Sequence, residues 1–220
     1  MTDSVKKKSR TVKKGKKNKT RIEITSGFIL ILSVMFYFSR ADTFISMLAA
    51  ALCHEMGHLA AIGIMGGSVR KITLSVTGAA IFVGRLSYPE EVVCAAAGPA
   101  ASIFCAVLGA LAAKAAGLDA LFAFSGMSLI NGVLNAVPAA ELDGGRVLRV
   151  ILFWRYGENN SSALRIIRAS GLVCSICIIA AGAYVLLTSG HNVSLLITGL
   201  WMLFMCVQPG ISKEKILGIA

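Results

Sequence analysis

Charge is scarce in this sequence. Of its 220 residues only 15% are Asp, Glu, Lys or Arg, against about 25% in an ordinary soluble domain. Proline occupies four positions and histidine three. So little charge, beside 56% hydrophobic residues and a mean hydropathy of +0.75, excludes a disordered chain and argues against a soluble globule. Acids are scarcer than bases, and the formal charge is +11. That excess is not spread over a folded surface. Residues 1–21 hold ten Lys or Arg against one acid, Asp3, while the rest of the chain is nearly balanced. No aromatic residue interleaves with the basic run, so a base-stacking module is disfavoured and no nucleic acid is expected as a partner. The run reads either as a segment lying on anionic lipid headgroups or as a solubilising tail.

The six cysteines lie in apolar runs, unlike those of a secreted disulfide scaffold. Cys174 and Cys177 have the C-x-x-C spacing of a redox or metal pair. Their neighbours Leu172, Val173, Ile176, Ile178 and Ile179 are those of a membrane helix, so the pair reads as small packing residues.

Long apolar runs are what the chain has in plenty. A bilayer span takes about 20 residues. Six candidates lie near Ile24–Ser39, Thr43–Ile64, Val92–Ala113, Ala120–Ala136, Ser170–Thr188 and Val193–Val207. The predicted fold is an all-α polytopic membrane protein of about six transmembrane helices. The N-terminal region does not read as a signal peptide: its basic stretch is too long and no small-residue cleavage site follows. With the N-terminus inside, twenty Lys and Arg fall on the inner side against two outside, Arg40 and Lys114. That bias predicts that both termini are cytoplasmic. The expected organisation is a basic tail over 1–21, a membrane domain over 22–208 with its core at about 43–150, and a short tail over 209–220.

The stretch Gly66–Glu91 is too polar to span. Ile72, Leu74 and Val76 alternate with Thr73, Ser75 and Thr77, the period of a strand, and Gly78 allows a turn into a second strand, Ala80–Val83. This predicts a hairpin, either an ordinary cytoplasmic one or one dipping toward the membrane with its Ile72–Val76 edge open to an extended peptide.

Ionisable groups inside a bilayer are expensive and mark function. The second span contains His54-Glu55-Met56-Gly57-His58, the H-E-x-x-H pattern. Residues four apart share a helical face, so both imidazoles can reach one Zn²⁺ at about 2.1 Å. Glu55 follows the first ligand and can act as general base toward water. Two histidines leave a zinc site incomplete. The other acid-bearing stretch at membrane depth runs from Asn131 to Arg146, where Pro138 breaks the fourth helix and Gly144-Gly145 lets the chain turn. Depth counting at about 1.5 Å per residue brings this stretch level with His54 and His58. Asp143, held near His58 by an unwound backbone, is the expected third ligand, with Glu141 as competitor. Asn135 reads as a donor to the oxyanion of a tetrahedral intermediate, or else as a helix-breaking residue satisfied by backbone. Gly98-Pro99-Ala100-Ala101-Ser102 in the third span reads as close packing around the site. His191 is assigned no role.

These residues resemble the site-2 protease family, the intramembrane zinc metalloproteases of peptidase family M50. The likeness rests on His54-Glu55-x-x-His58, Gly98-Pro99 and Asn135-x-x-Pro138-x-x-x-Leu142-Asp143-Gly144, in that order over Thr43 to Arg146. The resemblance implies hydrolysis of peptide bonds in membrane-embedded or membrane-adjacent protein substrates. It implies one zinc held by His54, His58 and Asp143, with Glu55 activating water, and a hairpin akin to the family's membrane-reentrant sheet. The short first span and the lack of an appended soluble domain are most similar to the sporulation factor IVFB group, which processes a sigma-factor precursor at a spore membrane. The partners implied are such a substrate, membrane lipids and a membrane regulatory protein. The rival readings are a membrane metal transporter and a non-catalytic membrane binding protein. A serine-type protease is disfavoured because no Ser–His pair lies at matching depth.

Overall fold

The computed structural model describes residues 20–75, 78–84, 86–139, 142–158, 160–190 and 193–207. The basic run through Lys19, Val76, Thr77, Arg85, Glu141, His191 and the tail over 209–220 lie outside them. The elements in order are β1 (Arg21–Ile24), α1 (Ser26–Phe38), α2 (Ala41–Ile64), β2 (Val69–Ser75), β3 (Gly78–Val83), α3 (Tyr88–Ala116), α4 (Asp119–Ala136), α5 (Asp143–Tyr156), α6 (Ser161–Ser189) and α7 (Ser194–Val207).

Three helices, α2, α3 and α6, are long and apolar enough to cross a membrane. The other three expected spans are α1 and α7, apolar helices of 13 and 14 residues, and α4, which has 18 residues and carries Asp119, Asn131 and Asn135. Pro138 does end α4 two residues earlier, at Ala136. The chain beyond it does not stay unwound. Asp143 opens a separate helix, α5, too rich in arginine to stand out as an apolar run.

The fold is not purely helical with a hairpin: its sheet has three strands in the order β1-β2-β3. β2 and β3 form the expected antiparallel hairpin. β1 pairs in parallel with the other side of β2, so the described part of the predicted Ile72–Val76 edge is already paired over Ile72–Leu74. Glu23 accepts from Lys71 at 2.7 Å, and that ammonium holds the Glu23 carboxyl below its ordinary range. Thr25 donates from both its N–H and its hydroxyl to the Leu74 carbonyl, at 3.0 and 3.1 Å, and its hydroxyl also caps α1. Paired positions share a face. One face therefore carries Ile22, Ile24, Ile72, Leu74 and Ile81. At the hairpin this apolar face rests on α2 and α3, where Val69, Ile81, Val83 and Leu86 pack on Ala61, Ile62 and Cys94.

Helices α2 and α3 cross closely. A β-carbon on Gly57 would lie 2.5 Å from the Ala101 β-carbon and 2.6 Å from the Ala97 carbonyl. Small residues permit such contact between helices in lipid. Helix α4 packs against α3 in the same way. A second cluster of Leu152, Phe153, Ala163 and Ile167 joins α5 to α6 beside Tyr88.

Candidate metal centre

His54 and His58 sit one turn apart on the inner face of α2, and both are buried. Asp143 reaches them from the first turn of α5. Its Oδ2 lies 3.0 Å from His54 Nε2 and 3.1 Å from His58 Nε2, and the two Nε2 atoms are 3.2 Å apart. The three atoms form a nearly equilateral triangle. A tetrahedral zinc with bonds of about 2.1 Å sets its ligand atoms roughly 3.4 Å apart. Two imidazoles and one carboxylate at this spacing fit one Zn²⁺, and His54, His58 and Asp143 are a group able to hold a metal ion.

The close approach of α5 depends on Gly144. A β-carbon there would overlap the Ala136 carbonyl at the end of α4. The break at Pro138 and this contact bring Asp143 back beside α2. From the other side, Arg146 donates through Nε and Nη2 to Glu91 Oε1, each at 3.2 Å, which ties α5 to α3.

The opposite edge of each imidazole is also held. His58 Nδ1 is 2.8 Å from the Cys94 carbonyl, and His54 Nδ1 is 2.9 Å from Ser102 Oγ. With Nε2 given to a metal, each Nδ1 carries the proton and donates. Both partners come from α3, whose Gly98-Pro99 segment does more than pack.

A cavity of about 310 Å³ opens at the triangle. Glu55, Asn131, Asn135 and Arg146 line it with the two histidines and Asp143, and β3 supplies Ala79, Ile81 and Val83. Every expected site residue, His54, Glu55, His58, Asn135 and Asp143, therefore faces one space. Asn135 arrives with its amide engaged, donating from Nδ2 to Asn131 Oδ1 at 2.7 Å and to the Asn131 carbonyl at 3.0 Å. The competitor Glu141 lies outside the described residues.

Sequence reasoning missed Ser102, the Cys94 carbonyl, Asn131 and the Arg146–Glu91 pair. One signal pointed to the first. Gly98 and Ser102 are four apart on α3, as His54 and His58 are on the α2 face they meet.

Comparison with known proteins agrees with this geometry. Rip3 of Mycobacterium tuberculosis, which carries a zinc-metalloprotease name, is 30% identical over 183 residues, covering 79% of this chain and 45% of that protein. A zinc metalloprotease of Methanocaldococcus jannaschii is 28% identical over 155 residues, 65% of this chain and 46% of its own length. The chain thus spans less than half the length of either relative. The solved structure of the site-2 protease from Methanocaldococcus jannaschii superposes with a TM-score of 0.62 at 25% identity, covering 85% of this chain and 89% of that one. The Peptidase M50B-like model matches residues 25–140, which include His54, Glu55, His58 and Asn135 and stop before Asp143. With more than half its length matched, the chain belongs to the Peptidase M50B-like family, the site-2 proteases.

Proposed function

We propose that the chain is an intramembrane zinc endopeptidase that hydrolyses peptide bonds in protein segments lying in or against the membrane. The observation that carries this reading is the meeting of His54 Nε2, His58 Nε2 and Asp143 Oδ2 within 3.2 Å, with Glu55 lining the same cavity. In it, His54, His58 and Asp143 hold the metal. Zinc bound there supplies the Lewis acid that activates water at neutral pH. Glu55 takes the proton of the attacking water and returns it to the leaving amine. Asn135, once it releases one of its two bonds to Asn131, turns an N–H toward the developing oxyanion.

An extended substrate exposes its carbonyl best as an added strand. Among the described residues the free edge nearest the cavity is that of β3, since β2 is paired on both sides. The apolar face of the sheet supports a hairpin that dips toward the membrane. Helices α1, α4 and α7, together with α2, α3 and α6, make up six spans in this reading. The distribution of Lys and Arg supports cytoplasmic termini. The short α1 supports a kinship with the sporulation factor IVFB group, and with it a membrane-bound regulator such as a sigma-factor precursor as substrate. The domain bounds follow: a basic tail over 1–21, then the protease domain over 22–208.

The test uses purified protein in liposomes with a panel of tagged transmembrane peptides. Native protein and Glu55→Gln are expected to bind one zinc each, and only the native protein to cleave. Equal cleavage by both removes Glu55 from the mechanism. A metal transporter would need ligands spread across the bilayer; zinc flux that survives Glu55→Gln would favour it.

A further inference from the structure

Among the described residues three serines are fully buried: Ser102, Ser128 and Ser175. A hydroxyl out of water needs a partner. Ser175 bonds back to its own helix, to the Gly171 carbonyl at 2.7 Å, and Ser128 Oγ has no partner among the described residues. Ser102 alone of the three reaches across to another helix's side chain, His54 Nδ1. We propose that Ser102 is a positioning residue of the metal centre: its Oγ accepts the Nδ1–H of His54, and so fixes the tautomer and ring angle that turn Nε2 toward the zinc.

Three features of the fold support this role. First, the helices run in opposite directions, and two four-residue steps face each other, His58 against Gly98 and His54 against Ser102. Second, the seat is built for a small side chain. A β-carbon on Gly132 of α4 would lie 3.0 Å from the Ser102 β-carbon, so α4 presses Ser102 toward α2. Third, the two imidazoles are held by different means. His58 leans on a main-chain carbonyl, that of Cys94, just before Ala95, whose carbonyl gets no helical N–H from Pro99. His54 leans on a side chain. Only the His54 support can be removed by substitution without breaking α3. An imidazole free to turn must be re-ordered each time the metal binds, and loss of such outer hydrogen bonds weakens metal sites about 10- to 100-fold.

The proposal rests on the zinc reading above, and the experiment keeps the two apart. The full chain in detergent is stripped of metal and titrated with zinc against a chromophoric chelator. Ser102→Ala is expected to bind zinc about 10- to 100-fold more weakly than the native chain. Ser102→Thr, which keeps the hydroxyl but adds a methyl to a tight seat, should recover part of that loss, and Ser102→Cys, a weaker acceptor, should recover less. The visible spectrum of the cobalt-loaded Ser102→Ala chain should shift, and that of Ser102→Thr should lie closer to the native one. The metal-free chains should melt within a few degrees of one another, as a packing role would not allow. Native zinc affinity in Ser102→Ala overturns the proposal, and so does a loss that Ser102→Thr and Ser102→Cys share in full. Should Ser102→Ala not fold, equal affinities in the Thr and Cys chains overturn it. A native chain that takes up no more zinc than His54→Ala overturns the metal-centre reading instead.

Discussion

Gly98 lies directly against the imidazole of His58: a β-carbon on it would overlap Nε2, Cε1 and Cδ2 of the ring. Nε2 is the atom that points to the metal triangle. The glycine of Gly98-Pro99 is therefore room for a ligand, not only a packing residue. Gly98→Ala is expected to push His58 off its rotamer, at about 0.5–1.5 kcal/mol or more, and to separate it from Asp143. Zinc affinity measured by chelator competition should fall at least about tenfold, by analogy with other disturbances of ligand orientation. Unchanged affinity would show that the ring has another way to face the metal.

Asn131 holds Asn135 by both its carbonyl and its Oδ1. If Asn135 serves the oxyanion, Asn135→Ala should lower kcat by about 10²-fold while zinc affinity stays native. Asn131→Ala should do less, on the order of tenfold, because Asn135 keeps its amide and its bond to the residue-131 carbonyl and loses only the bond to Oδ1. Steady-state kinetics on a tagged peptide, beside a zinc titration, separate these effects. A fall in zinc affinity in either variant would make the pair structural.

Arg146 and Glu91 are each about a third exposed, at 34% and 30%. A pair so placed stabilises the fold by only about 0.5–1 kcal/mol. Its larger effect should be on Asp143, one helical turn before Arg146. Arg146→Ala is expected to lower the melting midpoint slightly and kcat about tenfold, as a ligand helix loses its anchor. Glu91→Gln should act alike, and the double variant should be little worse than either single one. Fully additive losses would mean that the two side chains act separately.

Much of the site was legible because its chemistry follows local rules. His54 and His58 announce one helical face by their spacing, and Pro138 announces the break that lets Asp143 return. Ile72 and Leu74 announce β2 by alternation. Other parts depend on contacts between distant segments. Arg21–Ile24 is four residues long, too short for a period to be read, and becomes a strand only because β2 offers an edge. Asp143–Tyr156 carries three arginines and is not among the apolar runs, yet Leu152 and Phe153 find Ala163 and Ile167 to pack on. Ser102 looks like any small residue in a tight helix seam until His54 is seen beside it.

Removing the metal should separate the fold from the chemistry. Without zinc the triangle still has a reason to stay closed. A proton taken up in place of the metal lets one histidine donate from Nε2 to Asp143 Oδ2, at 3.0 or 3.1 Å, while its Nδ1–H stays on its own partner. That contact keeps the start of α5 against α2, so chelation should abolish cleavage without unfolding the chain. Zinc at about 100 times its Kd should then raise stability by about 2.7 kcal/mol, read as a higher melting midpoint. Asp143→Asn keeps the size and the hydrogen-bonding capacity but loses the anionic ligand. It should melt close to the metal-free native chain and gain little from added zinc. Cleavage should return to the chelated native chain when zinc is restored, and should not return to Asp143→Asn. Cleavage that persists at the native rate after complete chelation would remove the metal from the mechanism. A zinc-dependent rise in midpoint for Asp143→Asn equal to the native one would remove Asp143 from the ligand set.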